Sequence, residues 1–281
     1  MTRAFEQTMR ELGYVDGGNV AYEYRWARGV ADRLPALAAE LVQVPEDLII
    51  VGPNVSIAAA KQATSTIPIV MVLAAGPVGQ GFIESFAHPG GNITGLTSEP
   101  GPERQGKLLQ LLKEIVPGLS VVGVLSQRGV GYDPAALAAA ARQLGLRLEV
   151  SDQLRAFDEV EGAFAAIKLK RIDAYFMVGG AVLFSLRRQI MELALMHRLP
   201  GIHYGRDWVE AGGLIGYGPS LPDLYRRAAV YVDKILKGAK PAELAAEQPA
   251  RFDLVINLKT ARTLRLTIPQ SLLLQADDVI E

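Results

Sequence analysis

The chain alternates between short, continuous runs of apolar residues and longer segments of helical composition. Between residues 47 and 76, apolar runs at 48–51 and 67–73 flank a segment rich in helix-forming residues at 56–63. A break that contains glycine and proline follows each run. Continuous apolar runs joined by a helix are typical of a βαβ unit whose parallel strands are covered on both faces. The pattern therefore predicts a buried parallel sheet.

The same alternation continues along the rest of the chain. It predicts strands at residues 20–26, 48–51, 67–73, 93–97, 121–126, 146–150, 174–178, 201–204, 214–217 and 252–256. It predicts helices or helical turns at residues 2–13, 31–42, 56–63, 81–87, 107–115, 134–144, 159–169, 186–197, 209–211, 224–236 and 259–264. Two halves of similar βα order predict an α/β protein of two doubly wound, Rossmann-like lobes with a hinge and an interlobe cleft.

Two breaks rich in proline, at residues 98–102 and 219–222, predict the crossings between the lobes. We therefore expect an N-terminal lobe of residues 1–97 and 221–240, and a C-terminal lobe of residues 98–220 and 241–281. An α/β lobe normally opens with a central strand, whereas the predicted order opens with a helix. We therefore expect that the N-terminal lobe lacks its first strand.

Composition and charge limit the classes of function that the chain can have. The chain has 281 residues, 49% of them hydrophobic, with a formal net charge of −1 and no cysteine. This net charge gives no electrostatic reason to expect nucleic acid or an acidic membrane as the partner, because both need a concentrated basic surface. Without cysteine there are no disulfides, thiolate metal sites or cysteine nucleophiles. No run of about eighteen apolar residues occurs, so no membrane-spanning helix is predicted.

The candidate site follows from the fold, because ligands bind beyond the carboxyl ends of the strands in open parallel sheets. In the first lobe the loop residues are Asn54, Ser56, Ala74, Ala75, Gly76, Thr97 and Ser98. In the second lobe they are Ser126, Gln127, Gly180, Ala181, Tyr204 and Tyr217. Asn54 and Ser56 open a helix, whose amino end favours a carboxylate. The alternative for each polar residue is that it caps a helix or holds a loop.

Motifs for cofactors and catalysis are absent. The turn after residue 51 has no Gly-x-Gly-x-x-Gly, and no Gly-Lys-Ser/Thr or Gly-x-Ser-x-Gly occurs. The three histidines lack the spacing of metal ligands. His203 and Asp207 could form an acid/base pair, although a strand-end histidine beside a solvated aspartate is the more ordinary interpretation. We expect no cofactor, no metal site and no enzymatic activity.

Short segments spread over almost the whole chain carry a family resemblance, at residues 11–14, 18–20, 23–27, 33–38, 63–70, 89–95, 211–214 and 255–261. Together they resemble the periplasmic substrate-binding components of ABC transporters, in the family whose better-understood members bind tryptophan and related amino acids. The resemblance implies a type I periplasmic binding protein fold that closes on an amino acid or related carboxylate. It also implies a periplasmic location, a monomer, and ABC permease subunits as partners.

This sequence departs from the family in two places. Relatives carry a leader and a first strand ahead of the opening helix, and they usually read Gly-Asp-Pro-Val where residues 75–78 read Ala-Gly-Pro-Val. A role of that acidic residue, such as meeting a ligand ammonium, does not transfer to Gly76. Two alternatives remain: the ligand-sensing domain of a transcriptional regulator without its DNA-binding module, and an α/β enzyme. No helix-turn-helix precedes the first lobe.

Overall fold

The computed structural model describes residues 2–28, 30–98, 103–127, 133–154 and 157–281. These residues form two compact units. The first unit comprises Met1–Glu99 and Ser220–Arg251, and the second comprises Pro100–Pro219 and Phe252–Glu281. Most of the first predicted crossing, residues 99–102, lies outside the described residues.

Helices and strands alternate through most of the described chain. The order begins with α1 Thr2–Glu11, α2 Leu34–Leu41, β1 Ile49–Val51, α3 Asn54–Ala63, β2 Ile69–Ala74, β3 Ile93–Thr97, α4 Glu103–Ile115, β4 Val121–Gln127, α5 Pro134–Gln143, β5 Arg147–Leu154 and α6 Phe157–Leu169. It continues with β6 Ala174–Val178, α7 Ala181–Ser185, α8 Arg187–Met196, β7 Gly201–His203, α9 Arg206–Glu210, β8 Ile215–Pro219, α10 Leu221–Leu236, β9 Phe252–Asn257, α11 Leu258–Thr263, α12 Gln270–Leu273 and β10 Asp278–Ile280. Short 3₁₀ turns lie at Ala31–Arg33 and Pro241–Glu243.

The first unit holds a sheet in the order β1-β2-β3, and both neighbouring pairs are parallel. Alternate residues of β2 belong to different hydrophobic clusters, because successive side chains of a strand point to opposite faces. Val70 and Val72 pack with apolar residues of α1 and α10. Ile69 and Met71 pack with apolar residues of α3. Helices therefore cover both faces of the sheet, which explains the continuous apolar run of β2.

The second unit holds a sheet in the order β10-β9-β8-β7-β6-β4-β5. Every neighbouring pair is parallel except β8 and β9, which are antiparallel. Phe176 and Val178 of β6 lie in the cluster that includes α4 and α5, whereas Tyr175 and Met177 lie in the cluster that includes α6 and α8. The described sheets confirm the predicted α/β class, with parallel strands between helical layers.

Two predicted elements are wrong. Residues 20–26 form no strand, and the only bridge there joins Val20 to Asp16. An alternating pattern suits a strand only where a neighbouring strand completes the hydrogen-bond ladder, and none lies beside this segment in the described chain. Residues 81–87 form turns instead of a helix, because the N–H groups of Phe82 and Ile83 both donate to the carbonyl of Pro77. Strand β10 was not predicted.

Residues 241–251 were expected in the C-terminal lobe, but they belong to the first unit. Side-chain and main-chain hydrogen bonds attach this segment to β3. The Thr94 hydroxyl donates to the carbonyl of Leu244 at 2.6 Å, and the N–H of Thr97 donates to the carbonyl of Glu247 at 2.9 Å. These partners are about 150 residues apart in sequence, which no local pattern can predict.

His203 at the end of β7 is a core residue, which removes the structural basis for an acid/base pair with Asp207. Its side chain is buried, stacks on Trp208 with ring centroids 5.4 Å apart, and has Nε2 2.8 Å from the Tyr175 hydroxyl. Its Nδ1 lies 3.4 Å from the carbonyl of Ile215. Burial lowers the pKa of His203 from 6.5 to about 4. The imidazole is therefore neutral at physiological pH and serves the packing of this cluster.

Replacing His203 should change how stability depends on pH. The unfolded chain takes up a proton on His203 below pH 6.5, while the folded chain resists protonation until about pH 4. Stability therefore falls in this window as the pH is lowered, by up to about 1.4 kcal/mol per pH unit. His203→Gln removes this contribution and keeps a polar group of similar reach. Urea unfolding of both proteins at several pH values checks this, and parallel pH profiles would contradict it.

Candidate functional site

The loops after β1 and β2 are joined by one side chain. The Asn54 Nδ2 donates to the carbonyl of Ala75 at 2.8 Å, and the N–H of Ala75 donates to Asn54 Oδ1 at 2.8 Å. Asn54 does not cap α3, because the N-cap is Pro53 and lacks a side-chain cap bond. Both ends of its amide are already bonded to protein. The geometry thus makes Asn54 a residue that positions the Ala75 loop.

The loop after β3 joins the same group. The N–H of Ser98 donates to the carbonyl of Ala74 at 2.9 Å, and the Ser98 hydroxyl donates to the carbonyl of Leu73 at 3.3 Å. Because β1, β2 and β3 are parallel, their carboxyl ends lie at one edge of the sheet. The structure therefore brings together the predicted residues Asn54, Ser56, Ala74, Ala75, Gly76, Thr97 and Ser98 at this edge.

Backbone conformation at this edge is unusual. Leu73 has a φ of +68°, and the register between β2 and β3 shifts between Met71 and Ala74. A leucine in the left-handed region is uncommon, and such strain clusters at functional sites. The sequence gives no signal for it, because Leu73 reads as one more residue of an apolar run. Gly76 has a φ of +55°, where aspartate and asparagine are the best tolerated alternatives to glycine.

Two hydroxyl residues complete this edge. Thr97 is fully buried, and its Oγ1 has no hydrogen-bond partner among the described residues. A buried hydroxyl without a partner is costly, so its environment favours an additional acceptor or donor. Ser56 is half-buried in the first turn of α3, and its N–H donates to the carbonyl of Pro53. The amino end of α3 adds a partial positive charge at this edge.

In the second unit, Gln127 at the end of β4 organises the loop after β6. Its Oε1 accepts hydrogen bonds from the N–H groups of Gly180 and Leu183, both at 3.0 Å. These bonds satisfy main-chain donors in the first turn of α7. The structure therefore brings Gln127 together with Gly180 and Ala181, and it adds Leu183, which strand-end reasoning missed. Ser126 is buried within β4 beside them.

Tyr204 directly follows β7, and Tyr217 lies in the neighbouring parallel strand β8. The last register pair of these strands joins His203 to Gly216, and each tyrosine is the next residue after that pair. Both tyrosines pack at the border of the hydrophobic core, with ring centroids 5.8 Å from Phe176 and 5.7 Å from Phe252 respectively. Gly218 permits close approach here, because a Cβ on it would lie 2.6 Å from the backbone nitrogen of Gly205. Aromatic packing is thus the observed role of both rings.

Metal-binding groups and membrane-spanning helices were also sought among the described residues. Among the described residues, no group of three or more histidine or carboxylate side chains is arranged to hold a metal ion. None of the helices described is both long enough and apolar enough to cross a membrane.

Comparison with known proteins finds similar chains that match nearly all of this one. The chain is 23% identical over 265 residues to a tyrosine-binding protein of Clostridioides difficile, covering 93% of this chain and 75% of that protein. A structure from Vibrio cholerae, described as a conserved domain protein, is 26% identical with a TM-score of 0.86, and covers 99% of this chain and 93% of its own. A Streptococcus pneumonia ABC domain in complex with L-Trp is 23% identical with a TM-score of 0.88 and the same coverage.

Regulators of the LacI family share the fold less closely, with TM-scores of 0.55 to 0.59 and identities of 12% to 15%. The sensing-domain alternative is therefore the weaker one. The family described as ABC transporter substrate binding protein matches residues 2–280 of this chain. That match covers both compact units and nearly every element of the fold. The chain belongs to the ABC transporter substrate-binding protein family.

Proposed function

We propose that this protein captures an amino acid or a related carboxylate and delivers it to an ABC permease. Membership of the family supports the solute-binding class. The relatives support the ligand class, since one is named a tyrosine-binding protein and another was crystallised with L-Trp. Tyrosine and tryptophan both combine an aromatic side chain with a free carboxylate. We also propose that the ligand is released chemically unchanged, by a monomeric protein in the periplasm.

The observation that carries this proposal is the linked set of loops at the carboxyl edge of β1, β2 and β3. The Asn54 side-chain amide bonds the main-chain N–H and carbonyl of Ala75, and the N–H of Ser98 donates to the carbonyl of Ala74. Such bonds fix the positions of loop main-chain groups before a ligand arrives, which lowers the entropic cost of binding. The amino end of α3 begins at the same edge and favours a negative charge. A ligand carboxylate fits this edge.

Gly76 concerns the second charged group of an amino acid, its ammonium. Aspartate, which relatives usually carry at this position, is tolerated at a φ of +55°. Glycine leaves the loop without that negative charge, so it gives no charge partner to a ligand ammonium. We therefore propose that the carboxylate contributes more to affinity here than the ammonium does. Deaminated aromatic acids are then ligands alongside aromatic amino acids.

Thermal melts against matched ligands test this proposal. L-tryptophan and indole-3-propionate carry the carboxylate, whereas tryptamine keeps the indole and ammonium and lacks it. A ligand at a thousandfold excess over its Kd adds about 4 kcal/mol to the free energy of unfolding. We expect both carboxylates to raise Tm and tryptamine to leave it unchanged. An equal rise with tryptamine, or no rise with any carboxylate, would contradict the proposal.

Removing the Asn54 amide should weaken binding more than a comparable change elsewhere. Asn92 provides a matched control, because its Nδ2 donates to the carbonyl of Ile67 at 2.8 Å, at the opposite, amino edge of the same sheet. Asn54→Ala and Asn92→Ala should each cost about 1 kcal/mol of stability. Only Asn54→Ala should raise the Kd for the carboxylate ligand, by roughly tenfold. Calorimetric titration checks this, and equal losses would assign Asn54 a purely structural role.

Introducing the acidic residue at position 76 should change ligand preference. In Gly76→Asp, the new carboxylate offers an ammonium group a charge partner at a backbone angle that aspartate tolerates. The affinity for L-tryptophan relative to indole-3-propionate should rise about tenfold, a difference of about 1.4 kcal/mol. Gly76→Asn is the control, since it has a similar shape and no charge. If both variants shift the ratio equally, charge at this position does not select the ligand.

A further inference from the structure

The ends of two helices in the second unit form a surface that the proposed function does not use. Helix α6 ends at Leu169 ahead of β6, and α8 ends at Met196 ahead of β7. Because β6 and β7 are parallel neighbours, both helices end at the amino edge of this sheet. The rings of Phe164 in α6 and His197 after α8 have centroids 6.0 Å apart. The candidate ligand loops of this unit lie at the opposite, carboxyl edge.

Both helices end with an arginine in the left-handed conformation. Arg171 has a φ of +53°, and Arg198 has a φ of +52°. The N–H of the next residue donates to a carbonyl five residues earlier, at 3.1 Å after α6 and at 2.9 Å after α8. This is the Schellman motif, in which glycine usually takes the left-handed position because an L side chain is strained there.

Other helices of this chain use glycine for the same purpose. Helices α1, α5 and α10 end with the same main-chain hydrogen bond, and their left-handed residues are Gly13, Gly145 and Gly238. The motif therefore does not require arginine after α6 and α8. An arginine there carries a conformational strain that glycine avoids, and strained residues cluster at functional sites. Helix α11 also ends with a left-handed arginine, Arg265, and Leu264 beside it lines a small cavity together with Leu199.

The side chains of Arg171 and Arg198 are available to meet an anion. Both residues are exposed, and neither forms an ion pair or a side-chain hydrogen bond with another described residue. The carboxylates nearby are engaged: Glu149 pairs with Lys170 at 3.4 Å, and Asp173 accepts three hydrogen bonds of 2.8 to 2.9 Å from residues 120 and 121. The net charge of the chain does not show this local excess, because the fold brings together residues that are distant in sequence.

Two apolar side chains project from the same edge. Leu169 is 85% exposed and Met196 is 70% exposed, and Leu274 is the only other large apolar residue of the described chain that is exposed to this degree. Each is the last residue of its helix and lies two positions before a left-handed arginine. Apolar side chains in water are unfavourable. Exposed apolar residues beside basic ones are typical of surfaces that bind at a membrane interface.

We propose that this basic edge, formed by Leu169, Lys170, Arg171, Met196 and Arg198, docks the protein on an anionic phospholipid surface. The basic side chains meet lipid phosphates, and the two apolar side chains enter the boundary between headgroups and acyl chains. A second copy of this edge would place like charges opposite each other, which is unfavourable. A nucleic acid would pair with the basic groups and leave the leucine and methionine exposed.

Co-sedimentation of the full chain with lipid vesicles tests the proposal. Vesicles of phosphatidylcholine with about 30% phosphatidylglycerol should bind the protein at an ionic strength of about 0.1 M, and vesicles of phosphatidylcholine alone should not. Arg171→Gly combined with Arg198→Gly removes two charges that each contribute about fivefold, so the partition coefficient should fall roughly thirtyfold. The same variant should melt no lower than the parent, because glycine suits left-handed positions.

Two further variants separate charge, shape and position. Arg28→Gly is the matched control, because Arg28 is exposed and has a φ of +52° in the first unit. It should change vesicle binding by less than about twofold, since one charge away from the edge is screened at this ionic strength. Leu169→Ser combined with Met196→Ser keeps every charge and should weaken binding at least about tenfold, because two apolar side chains no longer leave water.

Three results would overturn the proposal. The first is no sedimentation with anionic vesicles, or equal sedimentation with phosphatidylcholine alone. The second is an equal loss of binding in Arg28→Gly, which would assign binding to the total charge of the chain. The third is binding that needs the arginines but not Leu169 and Met196, which would indicate a soluble acidic partner. Thermal melts with L-tryptophan keep this test apart from the proposed function, because no substitution lies in the strand-end loops.

Discussion

Parallel strand pairing is the interaction on which the rest of this structure depends. A parallel ladder needs a crossover between successive strands, and the helices that provide it cover both faces of the sheet. It also places the carboxyl ends of the strands at one edge. In the first unit this brings Asn54, Ala75 and Ser98 to the same edge, where hydrogen bonds of 2.8 to 3.3 Å link their loops. The candidate site is thus a consequence of strand direction.

The same pairing explains which elements were predictable from sequence. Strand β6 was predicted with its observed bounds, because its residues are buried on both faces and form a continuous apolar run. The predicted strand at residues 20–26 was wrong because alternating apolar and polar residues indicate a half-buried surface. They do not indicate that a neighbouring strand is present to pair with. The predicted helix at residues 81–87 was wrong because turns, with hydrogen bonds to the carbonyl of Pro77, bury Phe82 and Ile83 instead. In both cases tertiary context overrides the local pattern.

The candidate site was predictable as a place and less so as a set of side chains. The loops were predictable from the sequence, because loop position depends only on strand order. The hydrogen bonds of Asn54 and Gln127 to main-chain groups 21 and 53 residues away were not predictable, because they depend on tertiary contacts. The left-handed conformation of Leu73, which lies where the register between β2 and β3 shifts, has no local sequence signal either. Side chains that look available for a ligand in the sequence instead position the loops.

The most direct test of this account is to follow main-chain amide chemical shifts by NMR while indole-3-propionate is titrated. We expect the largest shifts at the carboxyl edge of the first sheet, at Ala75, Gly76 and Ser98, and smaller shifts at the amino edge near Asn92. Shifts concentrated instead at the amino edge near Asn92 would place the ligand away from these loops. That result would contradict the assignment of ligand binding to the strand-end loops.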